Sequence, residues 1–259
     1  MKLQRLLSLT RQALDTYGLI QDGDRIAIGV SGGKDSLTLL HALHHLRRFY
    51  PEKYELCAIT VDLGLGNMDL EPVASMCREF EIPYEIISTE IGAVLFDIRK
   101  ETNPCSLCAK MRKGALNEAA VKLGCNKIAL GHHFDDVIET ILMGMLYSGK
   151  IETMMPKLHS QNFEGMELMY LIKEDAVKAW RDYNGLQFIQ CACRFTENCV
   201  SCGGGRGSKR DEMKELIAHF RKESDVIEKN IFKSVHNINL KTVIGYHKDD
   251  WTYNFLDDY

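Results

Sequence analysis

The chain has 259 residues, which is enough for one large α/β domain or for a domain with a small appendage. Its 45% hydrophobic and 26% charged residues are typical of a globular protein with a buried core, and no apolar run reaches the ~18 residues of a membrane span, so we expect a cytoplasmic protein without a membrane partner. The net charge of −4 argues against a generally basic nucleic-acid binder, so any RNA contact must use local basic patches.

The first part of the chain alternates between helical and strand patterns. Apolar residues at helical spacing predict helices over 2–17, 36–48, 69–81, 106–123 and 135–147. Short apolar runs predict strands at Arg25–Val30, Tyr54–Val61, Tyr84–Ser88 and Lys127–Leu130. Strands that alternate with helices indicate βαβ units, and therefore a parallel sheet with helices on both faces.

The pattern weakens after Gly149. It predicts strands at Glu167–Ile172 and Leu186–Gln190, a helix over 174–183 and a cysteine- and glycine-rich loop over 191–207. A capping box at Ser208–Asp211 predicts a helix to about residue 222, and the last 35 residues carry little pattern. We therefore divide the chain into an N-terminal helix (1–20), an α/β domain (21–190) and a cysteine-containing loop with a C-terminal helical extension (191–259).

A glycine-rich loop, SGGKDS, lies between the first predicted strand and the next helix. Its glycines let the backbone turn tightly and direct N–H groups at an anion, the helix start adds its dipole, and Lys34 adds a positive charge. Asp35 stands where a Walker A loop needs Ser or Thr. The loop instead resembles the pyrophosphate-binding loop of the N-type ATP pyrophosphatases, which implies that ATP binds to Ser31, Gly32, Gly33, Lys34, Asp35 and Ser36. A plain turn between a strand and a helix is the alternative.

Nine cysteines are many for a cytosolic chain, where stable disulfides are rare. Cys105 and Cys108 form a C-x-x-C pair at the start of a predicted helix, where the helix terminus and nearby basic residues favour thiolates. A second cluster comprises Cys191, Cys193, Cys199 and Cys202. One hypothesis is a zinc site; the other is a [4Fe–4S] cluster on three thiolates, which leaves one iron open for an exogenous sulfide. Three further cysteines are expected in the core, namely Cys57, Cys77 and Cys125.

The segment GHHFDDVIET, Gly131–Thr140, ends a predicted strand and begins a helix whose core stripe should include Val137, Ile141 and Met145. Its carboxylates lie at the helix start, where the dipole favours them. Capping of the helix by Asp135 is one interpretation. The other is that these carboxylates coordinate Mg²⁺ at the phosphates of ATP, because that ion prefers oxygen ligands, with either Asp136 or Asp35 of the SGGKDS loop holding the ion.

Four motifs together, SGGKDS, PCSLC followed by AKMRKGAL, KIALGHHFDDVIET and MLYSGKIETMMPKL, resemble the tRNA 2-thiocytidine synthetase family in their order along most of the chain. The resemblance implies an adenine-nucleotide α-hydrolase-like fold of the PP-loop ATPases. It implies that ATP and Mg²⁺ serve to adenylate the 2-carbonyl of a cytidine in the tRNA anticodon loop, and that a [4Fe–4S] cluster supports insertion of sulfur. The implied cluster ligands are Cys105, Cys108 and Cys191, with Cys193 as the alternative third ligand because this chain has Cys-Ala-Cys where the family has C-x-x-C.

The resemblance also assigns individual roles. Lys34, Asp35 and Asp136 would be catalytic, and Val61 and Gly131 would join the loop in binding the nucleotide. The implied partners are tRNA and a sulfur donor, either a cysteine desulfurase or free sulfide, and a homodimer remains open. Arg112 or Lys113 would stabilise AMP or hold the tRNA, within a track of basic clusters at Arg47-Arg48, Arg99-Lys100, Lys110–Lys113 and Arg206–Arg210. Cys199 and Cys202 have no assigned role: either they form a small zinc site completed by Cys193, or they stay a flexible reduced pair.

Two alternatives remain open at this point. The same loop serves other ATP pyrophosphatase reactions, such as an amination or a different thiolation. The chain could also be a non-catalytic iron–sulfur or zinc module that binds RNA. Turnover of ATP to AMP and pyrophosphate distinguishes the enzymes from such a module, and the identity of the modified nucleoside distinguishes the enzymes from one another.

Overall fold

A six-stranded sheet with the strand order β3-β2-β1-β4-β6-β5 forms the centre of the computed structural model. The structure describes residues 1–66, 68–99, 104–159, 164–186 and 209–258. Neighbouring strands are parallel except for β5, which is antiparallel to β6. The strands are β1 Asp24–Gly29, β2 Tyr54–Asp62, β3 Tyr84–Ser88, β4 Lys127–His133, β5 Lys157–His159 and β6 Glu164–Met169. The α/β architecture expected from the sequence is confirmed.

Helices connect the strands and extend the chain beyond the sheet. They are α1 Leu3–Tyr17, α2 Lys34–Leu46, α3 Glu71–Glu79, α4 Ile91–Ala93, α5 Pro104–Lys122, α6 Phe134–Met143, α7 Glu174–Asn184, α8 Lys209–Glu223 and α9 Val226–Ser234. Helices α4 and α6 continue as π-helical turns over Val94–Ile98 and Gly144–Ser148. A two-stranded hairpin follows, made of β7 Gly245–Lys248 and β8 Trp251–Asn254. Among the described residues, we find no helix whose length and apolar character would let it cross a membrane.

The sheet is covered on both faces because side chains along β1 alternate between them. Ile26 and Ile28 join a core that includes residues of α1, α2, α3 and α7, whereas Ala27 faces a second core that includes residues of α5. The cysteines expected in the core are confirmed there, because Cys57, Cys77 and Cys125 are all buried.

Some predicted elements differ from the observed ones. Met145, expected in the core stripe of α6, is 48% exposed. The helix widens into its π-helical turn at Gly144, which rotates later residues away from the stripe. The strand predicted at Glu167–Ile172 instead ends at Met169, where the chain turns. The predicted strand Leu186–Gln190 and the loop over 191–207 lie outside the described residues, apart from Leu186.

The strand order reverses beside β1, and this reversal defines where a ligand can bind. From β1 the chain first adds β2 and β3 on one side, and it later places β4 on the other side. In open parallel sheets, such a reversal opens a crevice at the carboxyl ends of the two strands. The SGGKDS loop follows β1 at that edge, and the GHH-DD segment continues from β4 into α6 at the same edge.

Candidate active site

The SGGKDS loop is held in shape by its own side chains. Gly32 adopts a left-handed φ of 77°, and Gly33 is the extended N-cap of α2, with no side chain to cap the helix. The backbone N–H of Ser31 donates to Ser36 Oγ at 3.2 Å, and Ser36 Oγ donates to the carbonyl of Gly33 at 3.1 Å. A pre-shaped loop at a helix N-terminus favours a bound anion, because backbone N–H groups and the helix dipole are concentrated there.

Gly131 allows β4 to approach the loop closely. A Cβ on Gly131 would lie 3.2 Å from the carbonyl carbon of Asp35 and 3.2 Å from the backbone nitrogen of Ser36. The end of β4 therefore packs directly on the first turn of α2. Val61 lies half-buried near the carboxyl end of the adjoining strand β2, so both residues are at the edge of the sheet that carries the loop.

Two carboxylates hold the ammonium group of Lys34. Lys34 Nζ lies 2.8 Å from Asp35 Oδ2 and 3.2 Å from Glu174 Oε1, and Lys178 Nζ lies 3.0 Å from Glu174 Oε2. Partial burial opposes the charged form of Lys34, but the hydrogen bond and negative charge of Asp35, with the charge of Glu174, raise the pKa of Lys34 above its ordinary value. Burial also opposes ionisation of Glu174, but Lys178 and Lys34 lower the pKa of Glu174 to about 2. Lys34 and Glu174 therefore belong to one compact cluster of ion pairs at the loop.

Asp35 carries an oxygen suited to a metal ion. Its Oδ1 is buried and has no hydrogen-bond partner in the described part of the chain, and it lies 4.0 Å from His133 Nε2. A buried carboxylate oxygen without a partner is costly, and a hard cation would satisfy it. This oxygen of Asp35 is therefore one that Mg²⁺ could bind.

Asp136 is engaged on both of its oxygens. His133 is the N-cap of α6: its Nδ1 accepts from the Asp136 backbone N–H at 3.3 Å, and its own backbone N–H donates to Asp136 Oδ2 at 2.9 Å. Arg210 Nη1 donates to Asp136 Oδ1 at 3.0 Å. The interpretation of Asp135 as the helix cap is wrong, because His133 and Asp136 form the capping box. Asp136 thus fixes His133 at the site, and the oxygen suited to a metal belongs to Asp35.

Partly buried ion pairs join α6 to helix α8. Arg210 also donates to Glu139 Oε2 at 3.1 Å. Glu139 is buried, and burial raises its pKa to about 7 although Lys214 and Arg210 favour the charged form. Arg221 pairs with Asp135, whose Oδ2 accepts from the backbone N–H of Glu174 at 2.6 Å. Arg210, the last residue of the basic cluster assigned to RNA, therefore forms ion pairs with Asp136 and Glu139 of α6.

The C-x-x-C helix begins at the same edge of the sheet. Helix α5 leads from the β3 side into β4, so its N-terminus lies at the carboxyl ends of the strands. Cys108 is half-buried against Leu63 and Leu95, and Leu63 directly follows β2. Cys105 lies in the first turn of α5, and its side chain is outside the described part, as are Cys191, Cys193, Cys199 and Cys202. Among the described side chains, no three metal-ligating groups come together.

Some of the predicted site residues meet at one crevice of the sheet, whereas others lie along α5. The structure brings together Ser31–Ser36, Gly131 and Asp136 around the crevice between β1 and β4. Arg112 and Lys113 are exposed on α5, beyond Cys108. Sequence reasoning missed Glu174, since its only signal was an acidic residue in the first turn of a predicted helix.

The chain is similar in sequence to a family of ATP-binding domains. A family model described as a PP-loop domain matches residues 4–190, which is more than half of the chain. The loop, the parallel sheet and this match define a protein with a PP-loop ATP-binding domain. The structure of the U34-tRNA thiolase NcsA from Methanococcus maripaludis, solved with its [4Fe–4S] cluster, superposes with a TM-score of 0.70 at 22% identity, covering 92% of this chain and 80% of that one. This likeness supports the fold.

Curated relatives give the family. The tRNA-cytidine(32) 2-sulfurtransferase of Geobacter sulfurreducens is 35% identical, and the match covers 91% of this chain and 90% of the relative. The protein of the same name from Geotalea daltonii is 36% identical, with 91% and 92% covered. The chain belongs to the tRNA-cytidine(32) 2-sulfurtransferase family, which confirms the resemblance read from its motifs.

Proposed function

We propose that this chain is an ATP-dependent tRNA sulfurtransferase that adenylates the 2-carbonyl oxygen of a cytidine in the anticodon loop and replaces that oxygen with sulfur. One observation carries the proposal: the SGGKDS loop, the unpartnered oxygen of Asp35 and the start of the C-x-x-C helix lie at one edge of the sheet. Family membership supports the tRNA substrate. Because the substrate is tRNA, we place the reaction in the cytoplasm.

The first step uses the SGGKDS loop. Its backbone N–H groups and Lys34 bind the β and γ phosphates of ATP, with Val61 and Gly131 shaping the nucleotide site. Mg²⁺, held by Asp35, would neutralise charge on the phosphates. The oxygen of an unstacked cytidine attacks the α phosphorus, and pyrophosphate leaves as the O-adenylated base forms. Asp136 acts by holding His133 and the start of α6 in place.

The second step uses the cysteines. Cys105, Cys108 and Cys191 would hold a [4Fe–4S] cluster, which supplies an iron without a protein ligand where exogenous sulfide can bind. The donor set fits, since C-x-x-C thiolates at a helix start beside basic residues are stabilised. Sulfide, provided free or by a cysteine desulfurase, bonds to carbon 2 of the base. AMP leaves with the original oxygen, and Arg112 or Lys113, both exposed, would hold AMP or the tRNA phosphates.

The test is anaerobic incubation with ATP, Mg²⁺, sulfide and tRNA, followed by measurement of AMP and mass analysis of digested nucleosides. We expect AMP and 2-thiocytidine in equal amounts, and neither product from the Lys34→Ala variant. A product of 2-thiouridine would contradict the assigned base while preserving sulfur transfer. Absence of AMP from iron-loaded protein would favour a non-catalytic RNA-binding module. A matched control is Lys122→Ala, because Lys122 is exposed at the far end of α5.

A further inference from the structure

Glu174 places a carboxylate beside the lysine that would bind phosphate. Its Oε1 lies 3.2 Å from Lys34 Nζ, and both side chains are about one quarter exposed, at 25% and 24%. Glu174 comes from the first turn of α7, whereas Lys34 begins α2 in the SGGKDS loop. The contact therefore joins two elements that are distant in the sequence, directly at the candidate phosphate site.

Both the carboxylate and the backbone of Glu174 have partners other than Lys34. Lys178 holds its Oε2 at 3.0 Å, and Asp135 accepts a hydrogen bond from its backbone N–H at 2.6 Å. Asp135 is buried and is itself paired with Arg221 of α8. A phosphate that enters the loop must therefore draw Lys34 away from Glu174, because Glu174 is anchored independently of Lys34.

A fixed carboxylate at this position opposes phosphate binding in two ways. It repels the negative charge of the phosphates, and it competes with them for the ammonium group of Lys34. Asp35 contacts the same ammonium group at 2.8 Å, so Lys34 does not depend on Glu174 alone for its position. Removal of Glu174 should therefore leave Lys34 in the site while strengthening its interaction with phosphate.

We propose that Glu174 is a positioning residue that holds Lys34 while the loop is empty and takes it back as pyrophosphate leaves, so that it limits how tightly the loop retains pyrophosphate. This inference rests on the proposed function, because pyrophosphate is a product only if the loop cleaves ATP. Its consequence is faster product release at the cost of weaker binding of ATP.

The test compares Glu174→Gln with Asp175→Asn. Asp175 is the next residue in the first turn of α7, so Asp175→Asn removes the same charge at the same helix terminus. Asp175 is 72% exposed, and its nearest cations are Arg221 at 3.8 Å and Lys178 at 3.9 Å. Comparable melting temperatures for the two variants would show that helix stability is matched.

Binding of magnesium pyrophosphate and of magnesium ATP to the full chain is measured by calorimetry. We expect Glu174→Gln to bind pyrophosphate about two- to fivefold more tightly than the parent, as suits a partly exposed ion pair, and to show a lower KM for ATP with stronger inhibition by pyrophosphate. Asp175→Asn should bind like the parent.

Unchanged or weaker pyrophosphate binding by Glu174→Gln would overturn the inference. An equal gain in both variants would also overturn it, because the effect would then come from net charge and not from the contact. If the parent binds neither pyrophosphate nor ATP, the proposed function itself fails, and that outcome is distinct from a failure of Glu174.

Discussion

Gly131 and Asp35 meet backbone to backbone: a Cβ on Gly131 would lie 3.2 Å from the carbonyl carbon of Asp35 and 3.3 Å from its carbonyl oxygen. These atoms belong to the first turn of α2 and cannot move without shifting the SGGKDS loop. The end of β4 therefore packs directly on the loop that would bind ATP. Disturbing the contact should change nucleotide binding as well as stability.

Gly131→Ala should lower the free energy of unfolding by about 1–3 kcal/mol, because a methyl group is forced against backbone. It should also weaken ATP binding by displacing the loop. Gly114→Ala is the control, since a Cβ there meets nothing within 4 Å. Gly114 lies within α5, so alanine should raise stability by about 0.5–1 kcal/mol. Denaturant unfolding and ATP titration measure both effects, and a Gly131→Ala protein that equals the parent in both would contradict the contact.

Asp136→Asn and Arg210→Gln should be coupled. In Asp136→Asn, the side-chain amide has one acceptor oxygen and cannot accept hydrogen bonds from both the His133 backbone and Arg210. In Arg210→Gln, the buried Glu139 loses its ion pair with Arg210. Each variant should lower the free energy of unfolding by about 1–3 kcal/mol. In a double-mutant cycle, the coupling should be about 0.5–3 kcal/mol, and additive effects would mean that the pair contributes nothing in solution. Turnover per folded molecule should fall as well in Asp136→Asn.

Stability should fall in mild acid because of two histidines of α2, the buried His44 and the half-buried His41. Burial, helped by the charge of His45, lowers the pKa of both His41 and His44 to about 4 from an ordinary value of 6.5. The unfolded chain therefore binds more protons between these values, so the stability they contribute is present above pH 6.5 and is lost as the pH falls toward 4.

The measurement is the free energy of unfolding from denaturant titrations at several pH values. His44→Leu should flatten the acid limb relative to the parent, and His247→Gln, which removes an exposed histidine from the hairpin, is the control. Comparing variants with the parent removes the opposite contribution of Glu139, whose raised pKa favours stability at low pH. An acid limb that is identical in His44→Leu would show that this histidine does not titrate as described.

Substitution should distinguish the cysteines that would bind the cluster from those that would not. Cys105→Ala, Cys108→Ala and Cys191→Ala should each abolish the iron chromophore and thiolation while sparing ATP binding, because the SGGKDS loop contains no cysteine. Cys199→Ala and Cys202→Ala should keep the chromophore. Anaerobic absorption spectra and iron analysis decide between the models. Tight zinc without iron, lost on changing Cys199 or Cys202, would contradict the cluster assignment.

The basic surface of α5 can be tested through salt. The logarithm of tRNA affinity should fall linearly with the logarithm of salt concentration, since bound phosphates release counterions. Arg112→Gln and Lys113→Gln should each flatten the slope by about one unit if both residues contact phosphate. Lys122→Gln is the control, because Lys122 lies at the opposite end of the helix and pairs with Glu118. If the salt dependence of tRNA affinity in both variants matches that of the parent, tRNA does not contact this part of α5.

Local patterns were enough to predict the central part of the fold and the loop. The SGGKDS loop directly follows a short apolar run and directly precedes a helical pattern. Because these signals are contiguous, the strand, the loop and the helix can be predicted together. The packing of Gly131 on the first turn of α2 was not predicted, because the resemblance gave Gly131 only as a nucleotide-binding residue. The hairpin of β7 and β8 was missed, because each strand has only four residues, too few for a clear alternation.

Long-range charge pairing could not be predicted. Glu174 and Arg221 resemble ordinary charges on a helix, and Arg210 was assigned to a basic cluster for RNA, because a sequence pattern does not say which distant groups will meet. The fold brings Glu174 to Lys34, and it brings Arg210 to Asp136. These pairs alter the interpretation of the site: Asp136 is occupied by its partners, and Asp35 retains the oxygen that suits Mg²⁺.

The central claim is that the base oxygen attacks ATP, and an isotope measures this directly. A tRNA prepared with ¹⁸O at the 2-carbonyl of its cytidines is incubated anaerobically with the iron-loaded protein, ATP, Mg²⁺ and sulfide, and the AMP is analysed by mass spectrometry. If the base oxygen attacks the α phosphorus, the phosphate of AMP should carry one ¹⁸O atom for each 2-thiocytidine formed. Unlabelled AMP alongside thiolated tRNA, or ADP as the nucleotide product, would contradict adenylation of the base.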